Sequence, residues 1–261
     1  MVLYFSATGN TRFIAKQLAK RLDDECIDLL ERIKTKDHSG FYSKKPYVIC
    51  SPIYVCEPPI FLMKYLKKVK LSGNPNVYFV FTSGGYSGIA GRMAHQLMFF
   101  KKMNCMGHAD VVMPRNYVAS DMYDMLPCEE NRIRIREGAK QCAKIAFLIR
   151  KHRRLHARHA FLFESIVIRP FTPVWTRVMQ PVKPFHTTDA CIGCGKCAGV
   201  CPLNNIEMVE VDGKKRPKWL KPCAHCMACI GNCPFEAVEF GDITKNKEKY
   251  SIAKYVKRKY L

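Results

Sequence analysis

Between Cys191 and Pro234 one pattern occurs twice, CIGCGKCAGVCP and then CAHCMACIGNCP, with 20 residues between the copies. Each copy reads C-x2-C-x2-C-x3-C-P, placing Cys191, Cys194, Cys197 and Cys201 in the first and Cys223, Cys226, Cys229 and Cys233 in the second. At this spacing three thiolates wrap a tight turn around three iron corners of a cubane [4Fe–4S] cluster. The fourth leaves on a helix and reaches the other cluster, and the proline marks the turn away. The expected ligand sets are therefore crosswise: Cys191, Cys194 and Cys197 with Cys233, and Cys223, Cys226 and Cys229 with Cys201. A single C-x2-C is shared with zinc sites and redox pairs. Eight cysteines in a doubled run point to two [4Fe–4S] clusters rather than to zinc or disulfides.

The chain has 261 residues, 48% of them hydrophobic, enough for one or two domains with a sizeable core. Fourteen cysteines in a short secreted chain would read as a disulfide scaffold, but eight belong to the runs. The opening MVLYF reads as a strand and not as a leader, so a reducing, anaerobic cytoplasm is expected. The stretch AFLFESIVI is too short for a membrane span and is interrupted by Glu164. The formal net charge is +21. Two clusters with their thiolates, at about −2 each, leave about +17. Such a surface is either simply solvated or a face for an acidic redox partner or an anionic membrane. Nucleic acid is not expected, because no reading module is present.

From the N-terminus, MVLYFSATGNTRFIAKQLAKRL reads as strand, loop and amphipathic helix. The loop Ser6-Ala7-Thr8-Gly9-Asn10-Thr11 brings hydroxyls and backbone N–H groups to a helix N-terminus, where a phosphate is favoured. It lacks the lysine of an NTPase loop and the G-x-G-x-x-G of a dinucleotide fold. The pattern resembles the FMN-phosphate loop of flavodoxins. Further strands are expected at Cys26–Leu30, Tyr47–Cys50, VYFVF and Ala109–Met113. Helices are expected at Phe61–Lys68, from Ile89, and from Glu129 to Arg154. Strand and helix alternation gives a doubly wound α/β domain with a five-stranded parallel sheet of order 2-1-3-4-5. Its ligand would sit at the carboxyl ends of the strands. There the loops Pro52-Ile53-Tyr54 and Thr82-Ser83-Gly84-Gly85-Tyr86 fall beside the phosphate loop, as the two isoalloxazine loops of a flavodoxin do. The paired glycines admit a flat ring, and Tyr54 and Tyr86 are candidates to stack on it.

From His156 to His186 the helical period breaks, with Pro170, Pro173, Pro181 and Pro184 among Phe161, Phe163, Phe171, Trp175 and Phe185. So many aromatics call for burial, so a strap packed between domains is expected. Arg150, Lys151, Arg153, Arg154 and Arg158 precede it as a basic run, a solvated helix face or a contact for anionic lipid or a partner. The spacer between the cysteine runs carries Asp212-Gly213, a hairpin signal. After it, Lys245, Lys247, Lys249, Lys254, Lys257, Arg258 and Lys259 make a basic tail, free or docking. Cys26 and Cys50 read as buried small hydrophobes. Cys56 lies in the first ring loop, and His186 and His225 flank the cluster region as hydrogen-bonding neighbours.

Together, YFSATGNT, SPIYVCEPP, TSGGYSG, MPRNY at Met113–Tyr117 and the doubled cysteine run resemble the flavodoxin–ferredoxin fusions called EFR-type ferrodoxins. The resemblance runs over nearly the whole chain and is tightest at the cysteines. It implies an FMN-binding flavodoxin-like domain (1–155), an aromatic, proline-rich linker (156–186), a small α+β bacterial two-[4Fe–4S] ferredoxin domain (187–245) and a basic tail (246–261). It also implies FMN and two clusters on one polypeptide working in low-potential electron transfer. The function expected is relay of electrons between the clusters and FMN and to or from a partner enzyme. The alternative is an FMN-dependent reductase acting directly on a small molecule, with the clusters as its electron input. No catalytic acid or base can be named beside the flavin, which favours the carrier.

Overall fold

The computed structural model describes residues 1–122, 124–158, 160–178 and 180–257. The N-terminal half is built on β1 (Val2–Tyr4), β2 (Cys26–Asp28), β3 (Tyr47–Pro52), β4 (Asn76–Ser83) and β5 (Asn104–Val112). All four pairings between neighbours are parallel, in the order 2-1-3-4-5. This is a flavodoxin-like sheet. β1 and β3 are buried along their whole length, as strands covered on both faces must be.

Helices α1 (Asn10–Leu22), α2 (Leu30–Thr35), α3 (Ile60–Lys68), α4 (Ala90–Phe100) and α5 (Cys128–Arg150) provide the cover. On one face Phe13, Ile14 and Leu18 of α1 pack with Ile135, Cys142, Ile145 and Ile149 of α5. On the other, Leu62 and Leu66 of α3 pack with Ala94, Leu97 and Met98 of α4. The expected long helix stops at Arg150, because His152 takes a left-handed conformation (φ 51) and Leu155 bridges Gly107 of β5. The fifth strand starts earlier than its apolar residues indicate. A charged region after β2 adds α2 and a parallel ribbon, Phe41–Ser43 with Leu71–Gly73.

The segment from 156 to 186 differs from expectation. It holds helix α6 (Leu162–Val178), which runs through Pro170 and Pro173. Each proline deletes a backbone donor. The Thr172 hydroxyl lies between the carbonyls of Ile168 (3.1 Å) and Val55 (3.3 Å), tying the helix to the loop after β3. The aromatics expected to be buried between domains face outward: Phe161, Phe163 and Phe171 are exposed. Phe185 does go inside, in the C-terminal core.

That C-terminal part holds β6 (Phe185–Thr187), α7 (Lys196–Gly199), β7 (Ile206–Val211), β8 (Lys214–Trp219), α8 (Ala228–Gly231) and β9 (Val238–Phe240). β7 and β8 form the expected antiparallel hairpin, with positive φ at both Asp212 and Gly213. β6 and β9 pair antiparallel. Phe185 stacks on Trp219 and meets Phe240 and His225 edge-on.

The basic tail lies on its own chain. Lys245, Lys247, Lys249 and Lys254 are paired with Asp242, Asp121, Glu239 and Glu236 respectively. Ile252 is fully buried in the core around α1. Arg258 and Lys259 of the expected basic run lie outside the described residues. Among the described residues no helix is long and apolar enough to cross a membrane.

Candidate redox site

The eight cysteines of the doubled run line two cavities. Cys191, Cys194, Cys197 and Cys233 line one, together with Gly193, Met208 and Val238. Cys201, Cys223, Cys226 and Cys229 line the other, with Phe185, Trp219 and Ile206. These groupings are the crosswise sets that the spacing predicts. Among the described residues, no three His, Cys, Asp or Glu side chains converge as a single metal ion requires. Four thiols line each cavity, the number of protein ligands that a [4Fe–4S] cluster takes. Burial raises Cys226 to about 12 and Cys197 and Cys223 to about 11. Iron bound in these cavities would supply the charge that offsets burial of the thiolates. The backbone N–H groups of Asn205 and Ala237 already donate to Cys201 Sγ (3.2 Å) and Cys233 Sγ (3.3 Å), the kind of contact that tunes a cluster.

The second site is a cleft at the carboxyl ends of β1, β3, β4 and β5. Its walls bring together Ser6, Ala7, Thr8, Asn10, Thr11, Pro52, Ile53, Tyr54, Thr82, Ser83 and Gly84, all expected, with Pro114 and Asn116, which were not assigned a place. Asn116 donates to Thr8 Oγ1 (2.6 Å), leaving the Thr8 hydroxyl proton free to point at a ligand. Thr11 and Thr82 share a hydrogen bond (2.8 Å) that locks the first loop to β4. Asn10 is fully engaged: its amide donates to Pro114 O (2.9 Å) and its carbonyl accepts from Tyr250 (2.6 Å). With the amino end of the 13-residue α1 behind it, this end of the cleft suits a phosphate. The other end is flat and less polar, with Ile53 and Gly84, and the buried Tyr54 hydroxyl lacks a protein partner there. The donor set fits a phosphorylated planar ring system.

Three expected residues are placed elsewhere. Gly9 (φ +100) turns its back on Ile252, where a Cβ would come within 2.1 Å of Ile252 Cγ2, so only glycine fits. Gly85 is exposed, its N–H donating to Ser83 Oγ. Tyr86 is not a stacking residue: it donates to Glu164 Oε2 (2.6 Å), and Arg158 lies over its ring. The sequence hid this because Glu164 and Arg158 come from the linker.

The tight turn Tyr54–Glu57 has positive φ at Val55 and Cys56, strained for a β-branched residue. Cys56 O accepts from Ile89 N (3.0 Å), and Gly88 (φ +58) has no room for a Cβ against Cys56. The two ring loops thus brace each other. Burial first, then Glu57 and Glu164, raise the Cys56 thiol, which makes it a packing residue and not an activated nucleophile.

Residues 183–249 match the family model of a 4Fe-4S dicluster domain. The C-terminal part of the chain is that domain. A 27-residue stretch is 67% identical to an iron-sulfur component of the CoB–CoM heterodisulfide reductase of Methanopyrus kandleri, covering 10% of this chain and 4% of that protein. Among solved structures, a flavodoxin from the domain Archaea is similar over 57% of this chain and 96% of its own, at 16% identity and TM-score 0.33. An azoreductase from Bacillus anthracis is similar over 56% of this chain and 97% of its own, at 12% identity and TM-score 0.36.

The dicluster domain sits directly on the cleft. Asn232, next to Cys233, donates to Ala7 O (2.9 Å) in the first loop. Gly231 of α8 leaves room for Thr8, whose Cγ2 would lie 3.1 Å from a Cβ there. After the domain, Ile252 N donates to Thr8 O (3.0 Å). Tyr54 stands between the two sites: it lines the cleft and also the groove walled by Cys223 and Ala224 of the second run. Tyr117 meets His225 (3.3 Å), whose pKa burial lowers.

Proposed function

We propose that the chain is an electron-transfer flavo-iron–sulfur protein of the EFR type. Cys191, Cys194, Cys197 and Cys233 would hold an outer [4Fe–4S] cluster, Cys201, Cys223, Cys226 and Cys229 an inner one, and the cleft FMN. The single observation that carries this reading is the contact of the dicluster domain with the cleft, where Asn232, beside Cys233, donates to Ala7 O (2.9 Å) in the first loop. The clusters supply one-electron steps, and FMN joins them to two-electron chemistry. The protein's own part is positional. Thr8, Thr11 and the start of α1 hold the phosphate end, the two ring loops hold the flat end, and α8 fixes the inner cluster site against them. Cys194 and its neighbour Ile192 are exposed, which makes the outer cluster the exchange point for a redox partner with an acidic docking surface. The anaerobic cytoplasm remains the expected setting, given thiolate-bound clusters.

An anaerobic reductive titration, following flavin absorbance and cluster EPR together, tests this. Coupled reduction, with electrons equilibrating between the clusters and the flavin, is expected. Clusters that reduce beside a flavin that stays oxidised, or purified protein that takes up no FMN, would overturn the relay.

One observation favours the second reading, a reductase acting on a small molecule. A groove of about 370 Å³ adjoins the cleft at Tyr54, lined by Pro58, Pro59, Phe61, Thr172, Leu203 and Pro222 among others. It is mostly apolar and large enough for a flat organic molecule. Turnover of azo dyes or quinones by the reduced protein, abolished by Leu203→Trp, would select this reading. Rates independent of that substitution would select the carrier.

A further inference from the structure

Helix α3 carries Phe61, Lys64, Tyr65 and Lys68 at successive helical-repeat positions, so the four share one face. All four line an open pocket of about 240 Å³. Lys34, Lys36 and His38, from α2 and the turn after it, line it as well, with Leu203 and Asn204 of the dicluster domain. His38 stacks on Tyr65, ring centroids 5.8 Å apart. Two hydrogen bonds hold α2 against the dicluster domain here: Lys34 Nζ donates to Gly199 O, and Asn204 Nδ2 to Lys34 O (3.0 Å). The pocket is thus a seam between the two halves. Pro202, next to Cys201 of the inner cluster set, belongs to its wall.

That wall holds four lysines and a histidine, and no acidic side chain. Lys34 has Glu31 at 3.8 Å. Among the described residues, Lys36, Lys64 and Lys68 have no carboxylate within ion-pair distance. Cations gathered in a concavity repel one another, and a bound anion relieves that repulsion.

The pocket also runs into the apolar groove beside the cleft, for Phe61, Lys64 and Leu203 line both. Tyr54 in turn lines groove and cleft. The acidic residue of the groove, Glu57, sits at the Tyr54 end, where its carbonyl accepts from Tyr54 N (2.8 Å). The polarity therefore runs one way, with a carboxyl group near the cleft, apolar surface between and lysines at the far end. A neutral ligand would leave the lysines without a counter-charge. An inorganic anion would leave the groove empty, and an acidic protein surface would leave the apolar walls uncovered.

We propose that groove and pocket together bind an organic anion, with its flat or extended apolar body in the groove against Tyr54 and its anionic end on Lys36, Lys64 and Lys68. This rests on the second reading above, the small-molecule reductase, and names the class of molecule that it would act on. Each space is of the size that small ligands occupy or a little below it.

The test is equilibrium dialysis of para-phenylazobenzoate, and of its uncharged amide, against the full, oxidised, cofactor-loaded chain. The acid should bind about tenfold more tightly than the amide, as a charge-assisted contact warrants. That margin should shrink as salt rises. Lys64→Gln with Lys68→Gln should remove most of the margin, and Leu203→Trp should weaken both compounds. The two lysines are exposed, so their variant should keep iron content and circular dichroism unchanged. Equal affinities for acid and amide, or a margin that survives the double glutamine variant, overturn the proposal and leave the apolar groove standing as a site. Binding of neither compound, or binding of both untouched by Leu203→Trp, overturns it and also removes the groove on which the reductase reading rests. If a glutamate-rich peptide binds where neither azo compound does, and the double variant weakens it, the lysines serve an acidic protein and the proposal fails.

Discussion

In the flavodoxin-like half, Leu3, Phe5, Ile49, Phe79 and Phe81 are fully buried, and each face of the sheet has its own apolar core. In the dicluster half the apolar cluster is small and draws in Val118 and Ala119 from the loop after β5. The interior there is given over to two cavities walled by cysteines. One half folds by burying hydrocarbon, with its ligand in loops at the rim. The other has its proposed ligands where a core would be, so cofactor binding and folding become one free energy. What joins them is the tail, which buries Ile252 under the first loop of the cleft.

Removal of iron separates the halves most strongly. With the clusters extracted anaerobically by a chelator, the hairpin β7–β8 should lose essentially all amide protection, while β3 and β4 keep theirs. Hydrogen exchange read by mass spectrometry reports both at once. A dicluster domain that stays protected without iron would mean that Phe185, Trp219 and Phe240 suffice as a core, and the contrast between the halves would collapse.

The next effect concerns Lys249. It and Glu239 are 5% and 6% exposed, 2.7 Å apart, with Thr244 bonded to both. Breaking one side of such a pair leaves an unpaired buried charge, so Lys249→Met should cost about 3–5 kcal/mol. Denaturant unfolding should place that loss in the dicluster transition. A loss in the flavodoxin-like transition instead would show that the tail stabilises the wrong half.

How much of this was legible beforehand follows the same division. The cysteine spacing is local and chemical, and the two cavities collect the eight residues as the spacing predicts. The sheet order was legible because buried parallel strands read as plain apolar runs, as VYFVF does. Position 86 misled because the aromatic followed a glycine pair, and its true partners lie about seventy residues away in sequence. The linker misled for a simpler reason: Pro170 and Pro173 read as breakers, although the helix passes through both. Its aromatics Phe161, Phe163 and Phe171 are exposed, against the burial expected of them. The role of Ile252 had no signal at all, since one apolar residue among lysines declares nothing about where it lands.

That residue makes the halves interdependent in a measurable way. Ile252→Ala removes a fully buried side chain from beneath Gly9, which should destabilise the fold by about 2–5 kcal/mol. It should also loosen the phosphate loop, since Ile252 N is bonded to Thr8 O. Flavin affinity and the unfolding midpoint of the flavodoxin-like half should therefore fall together, with iron content unchanged. If stability falls and affinity does not, the tail is a brace for α1 alone.

The smallest expected effect is the most specific. In Thr8→Val the branched shape stays and the hydroxyl goes, so Asn116 loses its acceptor and the proposed phosphate loses a donor. One hydrogen bond of this kind is worth about 1 kcal/mol, or roughly fivefold in affinity. Titration of FMN into flavin-free protein should show that loss, and titration with riboflavin, which carries no phosphate, should show much less. Equal losses for both ligands would place Thr8 in the architecture of the cleft and not at the phosphate. A loss confined to FMN would fix the orientation of the flavin, phosphate toward α1 and ring toward Tyr54. In that orientation the ring occupies the end of the cleft walled by Tyr54, which also lines the groove beside Cys223 of the inner cluster site.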